Sequence, residues 1–579
     1  MDFCEQMQHR LTDEDLRLLG DIYEPTEVLS PDGDPGFGSL TLLPDGRIRV
    51  YGHYGKRDVF DDSYHRSYHE STDGGLSWKR HIVSDPDLLG SSAYLPYYDL
   101  YLAAVRENGQ LTVQIADTPD SPVKKKIPLG DFFESTAILA VSSVPGRVLI
   151  AAHEHRPDRH PTAFFQVIFV TDDLENFRLI HIEEAPFDKP TKAGVGIRWQ
   201  QNCREGTLIE KGDGTISLLC RTATDYIYES VSTDGGNTFG GVHPTPLHTV
   251  GTMPKYLKLR DGRLLLFFCN TRPLPELPEA DGVWEDVFTN RDAAHVAISE
   301  DDGKTWFGFR EIRLNPLRCA ADFRSAGGIT DCRDKSMHQF EAAELPAGKV
   351  LIVHGQHAVC RRGLIFDPGW LYETDRTETF NRGLCNLSTQ VYIRSILGGN
   401  EAHNSEELKK YVGHCAYNRE NGVRLLPSPL EDGTEALYVA PSVSPFTISP
   451  ATGAVWNFPM AKRGEATLDL HVGGAGLRVS LLDHWRNPSD ETVADEAPIS
   501  LLLTIDAENE AADAPFFKTV RVKFDLDAGT AELIDRESVT KLSLSSVPPF
   551  GLCYLHLQSV GDRGAEGSYI RSLGFHRGN

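Results

Sequence analysis

Long apolar runs, closely spaced cysteines, basic clusters and helical periodicity are all scarce in this chain of 579 residues, and each scarcity removes a class of function. The most apolar short run, Leu264-Leu265-Leu266-Phe267-Phe268-Cys269, falls far short of the roughly 20 residues that a helix needs to cross a bilayer. The 10 cysteines are scattered from Cys4 to Cys553 without the tight spacing that chelates zinc, and they read as reduced packing residues. Basic charge is concentrated only at Lys124-Lys125-Lys126, while 83 acidic against 58 basic residues give a net charge of -25. Such a surface repels polyphosphate, which argues against nucleic acid as a partner. The first twenty residues carry Glu5, Asp13, Glu14 and Asp15 and lack the apolar stretch of a secretory signal. The chain is therefore expected in the cytoplasm, without a membrane partner, unless a cleaved signal preceded it.

What remains is an ordinary folded composition, 40% hydrophobic and 24% charged with 51 glycines. Only Glu14 to Leu19 and Ser405 to Tyr411 have the pattern of short helices. Elsewhere a tight turn leading into a buried-strand pattern recurs around Gly46, Gly109, Gly146, Gly214, Gly262 and Gly348. The intervals scatter around the length of one four-stranded propeller blade, about 40–45 residues, so an all-β, six-bladed β-propeller is predicted. The repeat stops near Thr379, which places the propeller in residues 1–378. Residues 379–579 then form a separate β-sandwich of the lectin-like jelly-roll kind, with strands around Leu468 to Val472, Leu477 to Leu481, Ile499 to Ile505 and Val520 to Phe524. The sandwich is expected to be structural.

A second repeat follows some of the turns: Ser71-Thr72-Asp73-Gly74-Gly75-Leu76-Ser77-Trp78, Ser232-Thr233-Asp234-Gly235-Gly236-Asn237-Thr238-Phe239 and Ser299-Glu300-Asp301-Asp302-Gly303-Lys304-Thr305-Trp306. Val170 to Phe177 is a decayed fourth copy. The aspartate bonds the turn backbone, the glycine supplies positive φ, and the aromatic ring plugs the space between sheets. These segments resemble the Asp boxes of the sialidase (neuraminidase) superfamily of BNR-repeat propellers.

The resemblance implies a glycoside hydrolase removing a terminal acidic sugar, sialic acid or a relative, from an oligosaccharide or glycan, with no cofactor and no metal. In that family an axial funnel holds three carboxylate-clamping arginines, an aspartic acid/base and a tyrosine nucleophile activated by glutamate. Carried over by position, Glu205 resembles the glutamate and Arg221, sixteen residues on, a clamp arginine. Arg291, eight residues ahead of Ser299, resembles a second. Asp61 or Asp62, behind Arg57, stands where the acid/base is expected. The third arginine is missing, because the stretch before the first turn reads Pro35-Gly36-Phe37-Gly38-Ser39-Leu40, and Gln339 falls where the tyrosine would be. Histidines also cluster at the ends of the expected inner strands: His153, His155, His338 and His357. Imidazoles suit proton transfer near neutrality, so His153 and His338 are candidate catalysts and His155, His357, Arg57 and Gln339 candidate substrate contacts. Alternation places His153 and His155 on one face of a strand. Two other readings stay open: a polysaccharide lyase with a histidine base acting on a uronate-containing glycan, and a catalytically silent sugar-binding propeller.

Overall fold

The structure is a computed structural model describing residues 3–30, 39–54, 65–83, 85, 87–133, 135–156, 164–185, 201–222, 224–272, 291–315, 337–355, 361–394, 413–416, 423–445, 447, 449–474, 476–505 and 516–578. The chain divides into two compact units, one of Met1–Cys269, Ile298–Lys304 and Arg333–Trp370, the other of Asn270–Ala297, Thr305–Cys332 and Leu371–Asn579. Among the described residues no helix is long and apolar enough to cross a membrane.

Four-stranded antiparallel sheets follow one another along the chain as blades. The first is Ser39–Leu42, Ile48–Tyr54, His65–Ser71 and Lys79–Val83; the second is Ala93–Leu95, Leu100–Glu107, Gln110–Ala116 and Lys125–Gly130. The third is Ser135–Ala140, Val148–His155, Phe164–Thr171 and Arg178–His181, with Gln201–Asn202 added beside it, and the fourth is Arg204–Glu210, Ile216–Arg221, Tyr226–Ser232 and His243–His248. A fifth opens on Lys255–Lys258 and Leu264–Phe268 and continues through Ala293–Ser299 and Phe307–Leu314. The sixth, Glu341–Glu344, Val350–His354 and Arg362–Phe366, takes its outer strand, Thr26–Leu29, from near the N-terminus. The inner strands lie in a ring: that of blade one beside those of blades two and six, that of blade four beside those of blades three and five, and that of blade five beside that of blade six. This is a six-bladed propeller, closed by a strand from the start of the chain.

The aromatic plugs do what their position implies. Trp78 packs among residues of blades one and six, including Ile48, Leu351 and Ile365, and Phe239 among Leu149, Ile168 and Leu218 of blades three and four. Each box is tied by its own hydroxyl and carboxylate: Ser71 Oγ accepts from Gly75 N–H at 2.8 Å, and Asp73 Oδ1 accepts from Ser77 N–H at 2.9 Å. The bonds recur at Ser232 and Asp234, and the hydroxyl bond recurs at Ser299. One turn sits differently in its blade from the other five. Asn108-Gly109 leads into a buried strand as expected, but joins the second and third strands of blade two, where the others join first and second. With Asn108 at φ 51° and Gly109 at φ 80° it is a tight hairpin turn with positive φ at both positions, and such a turn looks the same in sequence wherever in a blade it falls.

The helix expected at Glu14 to Leu19 runs from Asp13–Asp21, capped reciprocally by Thr12 and Asp15. Its Leu19, with Met7 of the helix before it, packs on Ile48, Leu345 and Ile365. The second candidate, Ser405 to Tyr411, lies outside the described residues.

In the second unit two antiparallel sheets face each other. One includes Arg463–His471, Lys518–Asp525 and Ser568–Arg577; the other orders Leu387–Ser388, Gly453–Ala461, Leu552–Ser559, Leu477–Leu482 and Ile499–Leu503. Leu468, Leu470, Val520, Val522 and Phe575 of the first sheet share a core with Trp456, Phe458, Val479, Leu481 and Leu557 of the second. Alternation along Lys518–Asp525, buried then exposed residue by residue, is what a one-sided sheet of a β-sandwich requires.

The box geometry predicts the effect of Ser232→Ala. The buried Ser232 Oγ accepts from Gly236 N–H at 2.9 Å and donates to Asp234 at 2.8 Å, so its loss strands a buried donor and lowers the unfolding free energy by about 1–3 kcal/mol. Urea denaturation reads the loss.

Candidate functional site

Antiparallel order decides where chemistry gathers. The Asp boxes connect third strands to fourth, at the end of each blade where inner strands finish; the other end collects the starts of the inner strands and the ends of the second strands. Arg204 with Glu205, Arg221, His153 and His338 all fall at that second end, although they are far apart in sequence.

Local backbone geometry aims the central group. Arg204 pairs in register with Arg221, but the next pair is Thr207 with Leu219, so the inner strand carries one extra residue, a β-bulge. Glu205 sits in it at φ 49°, and Cys203 just before it is at φ 45°. A side-chain-bearing residue in this left-handed region costs on the order of 1 kcal/mol, sustained only where surroundings enforce it. Here Gln166 of blade three enforces it, accepting the Gly206 N–H at 2.8 Å and donating to Ala152 O at 2.7 Å. Gly206 leaves room for this brace, since a Cβ there would stand 2.6 Å from Leu218 Cδ1 and 2.9 Å from Gln166 Oε1.

The bulge sets the Glu205 carboxylate between two guanidiniums. Arg204 Nη2 donates to Oε1 at 2.8 Å and Arg221 Nη1 donates to Oε2. Glu205 is 5% exposed and Arg221 4%. Burial alone would raise the Glu205 pKa; the adjacent Arg204 and Arg221 charges outweigh it and hold the carboxyl well below its usual range. His338 is close enough to act on the same carboxylate and is wholly buried.

His153 is also wholly buried. Its ring stacks on Phe133 at 5.6 Å and meets Phe164 edge-on at 5.5 Å, while His155 stacks on Phe164 at 4.9 Å. The two imidazoles thus share one face of their strand, as alternation requires. Among the described residues no third His, Cys, Asp or Glu joins them as a metal ligand. Arg204 lies over the Phe164 ring at 4.2 Å and Arg106 over Phe133 at 4.5 Å. Burial, reinforced by Arg204, pushes the His153 pKa down to about 3, so its ring is neutral at physiological pH.

Gln339 is half-buried at φ 67°, between the buried His338 and Phe340. Tyr228, a conceivable alternative phenol, is a core residue of blade four, and Tyr226 packs against His248 at 5.0 Å. Arg291 is buried in the second unit, next to Asp292, whose carboxylate accepts from Gln390 at 3.1 Å. Arg57, Asp61, Asp62 and His357 lie outside the described residues. The first unit therefore brings Glu205, Arg221, His153 and His338 together, with His155 beside them. Sequence reasoning missed Arg204, Phe133 and Phe164. Simple strand alternation would point neighbours 204 and 205 to opposite faces; the bulge puts both on one task.

Six four-stranded sheets tied by Asp boxes, with an arginine-flanked glutamate at the end opposite the boxes, define an Asp-box propeller. The BNR repeat-like domain family matches residues 124–319. No curated protein sequence matches the chain. Among solved structures it is similar to a Trypanosoma rangeli sialidase, at 12% identity and TM-score 0.34 over 97% of this chain and 95% of that one. It is also similar to an intramolecular trans-sialidase from Ruminococcus gnavus, at 12% identity and TM-score 0.36 over 60% of this chain and 98% of that one. A Dyadobacter fermentans protein of unknown function is similar at 17% identity and TM-score 0.36, over 59% and 98%. The six sheets themselves, not these likenesses, carry the fold.

The ion triad makes a pH-dependent prediction. Because the folded Glu205 pKa is lowered, its charged form adds stability that is fully present above the ordinary carboxylate value near pH 4 and is lost as pH falls through the folded value. Glu205→Gln is expected to lower the unfolding free energy at neutral pH by about 3 kcal/mol. Its deficit against wild type should shrink between about pH 5 and pH 3, followed by urea denaturation at each pH; a deficit independent of pH contradicts the buried triad.

Proposed function

We propose that this chain is a sialidase-fold glycoside hydrolase that cleaves a terminal acidic sugar from a glycan. The observation that carries the proposal is the charge count at the bulge: two guanidiniums, the half-buried Arg204 and the buried Arg221, face one carboxylate, Glu205. Among the described residues these three side chains carry one net positive charge in a largely buried setting, which suits a substrate carboxylate. Arg221 binds the sugar's carboxylate in this reading. Glu205 activates the attacking group, and Asp61 or Asp62, behind Arg57, supplies the proton to the leaving oxygen. His155, His338, His357 and Gln339 line the sugar site. No cofactor is required.

Two observations bear on the alternatives. A base with a pKa near 3, as at His153, accepts protons poorly at neutral pH, which weakens the lyase reading. Gln339 offers an amide where the family has its nucleophile, and that favours the silent sugar-binding propeller as the second reading. Cytoplasmic residence would fit action on imported oligosaccharides.

Incubation of the protein with sialosides and uronic-acid oligosaccharides separates the three. The proposal expects new reducing ends without unsaturated-uronate absorbance, and a loss of 100-fold or more on the order of a missing acid/base group in Glu205→Gln. New ultraviolet absorbance identifies a lyase, and binding without turnover identifies a lectin-like propeller.

A further inference from the structure

Buried polar atoms normally find partners, and an unpartnered one costs about 1–3 kcal/mol. Beside the Glu205 triad four such atoms occur together. Neither His153 Nδ1 nor Nε2 has a hydrogen-bond partner, and of the Arg204 guanidinium only Nη2 is engaged, Nε and Nη1 being buried without one. His153 is 0% exposed, and above it lie three side chains that are only half-buried, Phe133, Phe164 and Arg204. Resting on the acidic-sugar reading of this end of the propeller, we propose that His153 and Arg204 form a specificity subsite for a hydroxyl group of the bound acidic sugar, with Phe133 and Phe164 as its apolar walls.

The chemistry of the groups matches that ligand. A neutral imidazole offers one donor and one acceptor, as a sugar hydroxyl does, and the free Arg204 N–H groups add donors for its oxygen. Aromatic rings suit the apolar C–H face of a pyranose. A bare carboxylate would need only the arginines; the unpartnered imidazole adds recognition of a hydroxylated ring. A site built to bond a hydroxyl discriminates strongly against an analogue that lacks it, because its own buried groups are then left unpaired. His153 is in this role a binding residue and not a proton carrier.

The test compares glucuronic acid and N-acetylneuraminic acid with cyclohexanecarboxylate, which keeps a six-membered ring and a carboxylate but has no hydroxyls, by calorimetric titration. Wild type is expected to prefer the hydroxylated acids by at least about tenfold, the scale of one hydrogen bond. His153→Phe should abolish that preference while leaving cyclohexanecarboxylate binding unchanged, and His153→Gln, which keeps a donor and an acceptor, should retain part of it. In the absence of ligand His153→Phe should melt at or above the wild-type temperature, since it removes unpartnered buried nitrogens. A preference that survives in His153→Phe overturns the subsite and leaves the acidic-sugar reading standing. A lower melting temperature or failure to fold also overturns it, by showing that the nitrogens are paired within the protein. If wild type binds none of the three acids, both readings fall.

Discussion

The propeller depends on closing a ring. Six twisted sheets meet only if the last is completed, and here the missing strand, Thr26–Leu29, comes from the far end of the chain to pair with Arg362–Phe366. Without it the sixth sheet would present an unpaired edge, and chain ends separated by more than three hundred residues would have no mutual restraint. The Glu27 carboxylate meets Arg362 at 3.0 Å, and the N-terminal helices pack Met7 and Leu19 over the junction of blades one and six. Closure is therefore both a hydrogen-bonded and a hydrophobic event. It is also slow in principle, since its contacts have the longest sequence separation in the fold.

Closure lets the two ends of the blades diverge in purpose. At one end the Asp boxes bond their own turns: hydroxyl to glycine N–H, carboxylate to the following turn. At the other end local rules are broken around Glu205. Glu205 adopts a left-handed conformation in a bulge, is buried with its charge, and is flanked by two arginines; next to it His153 is buried without partners. Local violations that the rest of the fold supports are characteristic of sites under functional constraint. Gln166 and Gly206 show how that support is built, one by bridging blades three and four, the other by having no side chain to obstruct the bridge.

This division explains what was legible in the sequence. The Asp boxes are local devices, so Ser71 to Trp78, Ser232 to Phe239 and Ser299 to Trp306 announced the propeller by themselves. The sandwich strands were legible because Val520, Val522 and Phe524 alternate with polar residues over a one-sided sheet. Asn108-Gly109 marked a hairpin correctly but not which hairpin, because turn chemistry carries no information about strand order. The closing strand Thr26–Leu29 was invisible, since a short edge strand has no pattern of its own. At the site, Glu205 and Arg221 were found through their resemblance to the sialidase glutamate and a clamp arginine; Arg204 was not, because strand periodicity assigns it to the wrong face until the bulge is known. Phe133 and Phe164 were missed for a different reason. They belong to residues that look like core aromatics and meet His153 only through the pairing of blade three.

The charge distribution joins these observations. A chain with a net charge of -25 repels an anionic sugar at long range, but that repulsion fades over about 8 Å at physiological ionic strength. Buried pairs are screened far less, so the field inside the funnel is set by the nearest groups and not by the distant surface. Among the described residues Arg204 and Arg221 against Glu205 sum to one positive charge, while His153, neutral in its aromatic enclosure, adds no second one. A protonated imidazole there would bind any carboxylate more tightly and distinguish sugars less. In the proposed reading, keeping His153 uncharged separates the two tasks, attraction by the arginines and discrimination by the imidazole.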